Sequence, residues 1–299
     1  MVRIAACVAL LVVLASSRST AQRYVVGEMA EYEVRYGPLG VGTGTIGVVG
    51  LDTLRGHDAY LLRLTLHGRV NLLLYKYTIR DTLESWVDTT SLLSLRFMQR
   101  QLHQGKPRVK RYEIFPERQT FADGDKPEEA SVTDPLDDIS LLYYARAQAL
   151  TDGSTLEIPR HFKPASNPVT LKVIRRETIE AAGKKWNTVV VQPIIKTSTM
   201  FSDGEGLVWL SDDSARVIVQ INAKVSVGSI TLRLRSYRAA ASPVQGERPG
   251  KDWSRVDSRL LFHDPSMPYL NTGARNPREG RRRIRRARRC RRCRGRPSA

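Results

Sequence analysis

Asp138, Tyr143 and Arg146 are the polar residues whose spacing most directly suggests a built site. Asp138, Leu142 and Arg146 recur at i, i+4 and i+8, which places them on one stripe of a helix. Two readings follow. The stripe faces water, or Arg146 turns into the concavity of a sheet and pairs with an acid there, Asp81 or Glu84. A buried ion pair of that kind fixes a helix in place at least as readily as it binds a ligand. Asp134, Asp137 and Asp138 offer carboxylates to a cation, but the spacing is not that of an EF-hand, and Asp137 is placed to cap a helix. The histidines His57, His67, His103, His161 and His263 form no i, i+4 pair and stand beside no cysteine, so no zinc motif is present. Gly228-Ser229 reads as a hairpin turn and not as a nucleophile elbow. The reading therefore assigns no catalytic residue, no metal and no cofactor, and expects a non-enzymatic protein.

A second constellation lies at the C-terminus. Arg281, Arg282, Arg283, Arg285, Arg286, Arg288 and Arg289 form a cationic run, with Cys290 and Cys293 directly after it. Guanidinium groups grip phosphate in bidentate fashion, so the run suits lipopolysaccharide, anionic lipid or nucleic acid. It lacks the aromatic residues on which single-stranded bases stack. An arginine run without lysine is also what a shifted reading frame in GC-rich DNA writes. The two cysteines are candidates for a disulfide in an oxidising compartment. The run also explains the charge. The chain of 299 residues has a formal net charge of +18, of which residues 274–299 carry +12 and residues 1–21 carry +2. The remaining body is close to neutral, at +4.

The elements that must position these residues are legible from pattern. Met1-Val2-Arg3, the apolar stretch Ile4 to Ala15 and Ser19-Thr20-Ala21 read as a signal peptide over 1–21, cut after Ala21. From about 28 to 238 the hydrophobic period is two: Tyr32, Val34 and Tyr36; Tyr60, Leu62, Leu64 and Leu66; Val217, Val219, Ile221 and Ala223; Leu232 and Leu234. Turn signals such as Arg55-Gly56, Gly105-Lys106-Pro107 and Ala182-Gly183 separate the strands. The stretch from Gly40 to Gly47 has a nucleotide-loop-like glycine spacing, but its Thr, Ile and Val residues make it a strand. One segment switches to helical spacing, Ile139 to Leu150, with Asp137 and Asp138 at its head and Gly153 beyond its end. The expected fold is mainly β: a curved antiparallel sheet, open barrel or sandwich wrapped around one central helix. Residues 22–240 form this domain, 241–273 a linker with a segment that could dock, and 274–299 a disordered basic tail.

The body resembles a family of bacterial cell-envelope proteins known as domain of unknown function 3108, from about Glu31 to Tyr237. The marks are the strand Tyr32 to Tyr36, the glycines Gly42 and Gly44, the strand Tyr77 to Ser85, the helix Asp138 to Arg146 with Gly153 after it, and the element Leu207 to Asp212. The resemblance implies a secreted, β-rich envelope domain and no catalytic residues. The leading expectation is a secreted or periplasmic protein that binds a lipid or amphiphile on the concave face of the sheet. The alternatives are a polyanion tether through the tail and an outer-membrane β-barrel. Against the barrel, Arg63, Lys224, Arg233 and Arg235 occupy the face opposite the core, where a lipid-facing band is apolar.

Overall fold

The computed structural model describes residues 24–72, 75–196, 206–224 and 229–239, with the side chains of 70–77 left out. The expected signal peptide, the linker and the arginine tail, with Cys290 and Cys293, lie outside the described residues. Among the described residues, fourteen strands form one antiparallel sheet. The first eight are β1 (Met29–Tyr36), β2 (Leu39–Leu54), β3 (His57–Leu72), β4 (Tyr75–Asp88), β5 (Ser94–His103), β6 (Lys106–Phe115), β7 (Thr120–Asp123) and β8 (Glu129–Ala130). Helix α1 (Asp138–Arg146) follows. The remainder are β9 (Thr155–Ile158), β10 (Val169–Ala181), β11 (Lys184–Ile194), β12 (Leu207–Ser211), β13 (Ile218–Lys224) and β14 (Ser229–Arg238).

The order runs β8 to β1 and then β14 to β9, so β1 and β14 join the two arms at the centre of an open, curled sheet. The edge strands are β8 and β9, and the chain between them carries α1. That connection ties the two edges together. Leu136 donates its N–H to the Arg160 carbonyl at 2.7 Å and accepts from Phe162 at 2.9 Å.

Alternation decides which face is inside. Tyr32, Val34, Leu62, Leu64, Leu232 and Leu234 are buried, as their period-two spacing requires. Tight hairpins hold the register: Arg55-Gly56, Gln104-Gly105 and Ala182-Gly183 each place two successive residues at positive φ, the geometry that matches strand twist. Glycines in β2 let the sheet curl. A Cβ on Gly42 would collide with the backbone of His67 and Gly68, and one on Gly44 would meet the Thr65 carbonyl at 3.1 Å.

α1 is the one α-helix among the described residues. It ends at Arg146, four residues before the expected Leu150. The chain tightens there into a turn, with the Ala147 N–H bonded to the Ala145 and Tyr144 carbonyls, and Leu150 still reaches the core at 5% exposure. The helix buries Ile139, Ser140, Leu141 and Tyr143. It crosses the end of the sheet where β1 and β5 begin and β4 finishes, and so closes that end.

Candidate functional site

The N-terminal end of α1 is a buried polar knot. Asp137 accepts from the Ile139 and Ser140 N–H groups at 2.9 and 3.1 Å, and the Ser140 hydroxyl accepts from the Asp137 N–H at 2.8 Å. This is the reciprocal capping box that satisfies the free donors of a helix start. The sheet completes it. Ser85 on β4 donates to Asp137 Oδ2 at 2.5 Å, and the Ser94 hydroxyl of β5 lies 2.9 Å from that of Ser140. Burial pushes the Asp137 carboxyl up to about 6, against the hydrogen bonds from Ser85 and Ser94, which pull it down.

Asp138, the next residue, turns away from this knot. Its Oδ1 lies 3.1 Å from Nε2 of His161, which is 2% exposed and stacked on Phe162. The Lys163 N–H is bonded to Nδ1 of the same ring at 3.0 Å, so Nδ1 accepts and Nε2 carries the proton toward Asp138.

The C-terminal end of α1 holds Arg146. Its guanidinium donates to Glu28 Oε1 at 2.6 Å and to the Ala215 carbonyl at 2.9 Å, and it lies over the Tyr143 ring at 4.9 Å. Tyr237 on β14 donates to the same Glu28 oxygen at 3.3 Å. Tyr143 packs against Tyr24, and burial drives its phenol far above the ordinary tyrosine range.

The expected pairing of Arg146 with Asp81 or Glu84 is therefore incorrect. Register places those two acids on opposite faces of β4. Asp81, on the inner face, bonds His103 at 2.8 Å, and Glu84, on the outer face, pairs with Arg63 at 2.7 Å and with Arg100. Glu28 lies just ahead of β1, at the end of the sheet that α1 crosses, and so it meets Arg146. Nor do Asp138 and Arg146 form one site. Eight residues of helix separate them by ~12 Å, and each is taken by a different partner. Both polar ends of α1 anchor the helix.

The face between those ends is what remains open. Leu142 and Ala145 of α1, with Leu171 of β10, Val191 of β11, Val208 of β12 and Ile218 of β13, line a recess whose walls are hydrocarbon throughout. The free space between them is about 30 Å³. The sequence carried a signal for it in the apolar alternation of Val169, Leu171 and Val173 and in the apolar run from Leu207 to Leu210. What it lacked was the arm-to-arm curl that sets these residues against α1. Among the described residues no group of three His, Cys, Asp or Glu side chains is placed to hold a metal.

Comparison with known proteins agrees with the architecture. A β-barrel-like protein of domain of unknown function DUF1849 from Brucella abortus is similar in fold, with a TM-score of 0.50 at 9% identity. The match covers 73% of this chain and 99% of that one. No curated protein matches the sequence. The family model described as a protein of unknown function, DUF3108, matches residues 31–235, which span β1 to β14 and include α1 and the recess. The chain belongs to the DUF3108 family.

Proposed function

We propose that this protein is a secreted, non-enzymatic carrier or sensor of the cell envelope that takes the apolar chain of a lipid or amphiphile between α1 and strands β9 to β13. The recess carries the proposal: its walls present only hydrocarbon, from the helix on one side and the sheet on the other. Apolar burial rewards an alkyl chain at about 0.8 kcal/mol per CH₂. The resting void has room for about one water molecule, so a longer chain enters only as the walls part around it. Both ends of α1 are fastened by hydrogen bonds, and the lining extends to Pro193 and Ile195 at the end of β11, so the proposed entry is on that side. Secretion is supported by the N-terminal pattern of residues 1–21.

The test is displacement of a neutral fluorescent apolar probe, alongside mass spectrometry of the protein purified from its native envelope. Ala145→Phe fills the recess and is expected to weaken probe binding about tenfold or more, since overfilling a packed wall costs about 1–3 kcal/mol. Probe binding that is absent in the wild type, or unchanged in Ala145→Phe with an intact circular dichroism spectrum, refutes the reading.

The outer face of the sheet favours a water-facing domain over an outer-membrane barrel. It carries the ion pairs of Glu84 with Arg63 and of Glu113 with Arg55 and Arg96, where a lipid-facing band is apolar. A second reading, polyanion tethering, rests on the thirteen arginines of residues 274–299. Retention of the protein on heparin, and its loss from a chain ending at Gly273, is the outcome expected. Equal retention of both chains overturns it.

A further inference from the structure

Strand β6 breaks the rule that apolar side chains point inward. Directly paired residues of an antiparallel sheet share a face. Leu62, Ser85, Phe97 and Tyr112 therefore form one inner row across β3 to β6. Its members Leu62, Phe97 and Tyr112 belong to the core, and Ser85 reaches the head of α1. The next row, toward the end of the sheet away from α1, is Leu64, Leu83, Gln99 and Lys110. The row after it is Leu66, Asp81, Gln101 and Arg108, and beyond that His103 pairs with Lys106. Lys106, Arg108 and Lys110 thus lie on the inner face, while Val109 points outward and is 65% exposed. A strand patterned only for burial would have the opposite arrangement.

Lys110 hydrogen-bonds the Tyr112 hydroxyl, a neutral partner that leaves its charge uncompensated. Among the described residues, no salt bridge involves Lys106, Arg108 or Lys110. The nearby inner acids have other partners: Asp81 is held by His103, with bonds of 2.8 and 3.0 Å to its two oxygens, and by Gln101 at 3.4 Å, and Asp123 is paired with Lys126 at 2.8 Å. The inner wall is therefore divided by chemistry. It is apolar along β9 to β13 and becomes polar and cationic along β5 and β6. The β5–β6 turn lies at the same end of the sheet as the β11 terminus that borders the recess, opposite α1.

We infer that the inner face of the β5–β6 hairpin is the headgroup end of the amphiphile site, and that the ligand is a single-chain amphiphile with an anionic head. This rests on the recess reading above and adds the head to the tail. The chain lies against Leu171, Val191 and Val208, and its carboxylate or phosphate is met by Lys106, Arg108 and Lys110. Charge complementarity selects an anion over a neutral or cationic head, and Arg108 can grip either acid group in bidentate fashion.

The experiment compares dodecanoate, dodecyl phosphate, dodecanol and dodecyltrimethylammonium as competitors of the neutral probe on the full chain. It uses the wild type and the triple variant Lys106→Gln, Arg108→Gln, Lys110→Gln. The wild type is expected to bind the two anions about tenfold more tightly than dodecanol, since three charge contacts near the surface act together. The triple variant should lose this preference while its affinity for dodecanol stays the same. Added salt should narrow the gap in the wild type alone. The ratio of the two anions separates a carboxylate from a phosphate head. Equal binding of anions and dodecanol by the wild type, or a preference that the triple variant keeps, overturns the headgroup site and leaves the recess standing. Failure of all four to bind removes both.

Discussion

The two ends of α1 fasten one helix by different means. At the N-terminal end the fastening is largely local. Asp137 caps the amides two and three residues ahead, Ser140 answers it, and the sheet adds two serine hydroxyls. At the C-terminal end, apart from the Tyr143 ring beneath the guanidinium, the partners are distant. Glu28 is 118 residues away in sequence and the Ala215 carbonyl is 69 away. The first end is polar with one acid embedded among hydroxyls. The second is an ion pair nearly out of water, with Arg146 12% and Glu28 8% exposed. Such a pair is costly to break because the surviving charge is stranded, whereas a cap loses hydrogen bonds but no counter-charge.

This contrast can be broken at either end. Glu28→Gln should give the larger loss, about 3–5 kcal/mol in urea unfolding, because Arg146 keeps a buried charge without its acid. A loss below 1 kcal/mol would mean that water reaches the guanidinium and the pair is not the anchor described. Combining it with Arg146→Met should recover part of the loss, since no charge is then left unpaired.

The N-terminal end should show itself through pH. Asp137 is held up to about 6 by burial, above its ordinary value of 3.8. Between those values the folded chain holds a proton that the unfolded chain has released, so this contribution is complete below pH 4 and is lost as pH rises through 6. A shift of about two units corresponds to about 3 kcal/mol. Urea unfolding of the wild type and of Asp137→Asn across that range should show their stability difference moving against the wild type by up to that amount. Parallel pH profiles would place the Asp137 carboxyl near its ordinary value and make the two ends alike in kind.

The same contrast marks how far the sequence could be read. Asp137 was recognisable as a cap because its partners follow within three residues, and chemistry at that range is written in the chain. The strands were recognisable because Tyr32, Val34, Leu62, Leu64, Leu232 and Leu234 alternate, and a half-buried strand has no other way to pattern itself. The partner of Arg146 was not recognisable. Asp81 and Glu84 are both acids of β4, but three residues apart on a strand means opposite faces. The acid that met Arg146 belongs to the segment before β1, which nothing local links to the helix.

Local spacing, then, determined the antiparallel strands, their turns, the single helix and the residue that starts it, because each depends on interactions a few residues apart. The curl of the sheet decided the rest. By carrying two arms of strands around to a shared connection, it chose Glu28 for Arg146 and set Leu142 and Ala145 opposite β10 to β13 to leave a recess. Those outcomes depend on which strands face one another across the sheet, a relation set by closure of the whole chain and by no segment of it alone.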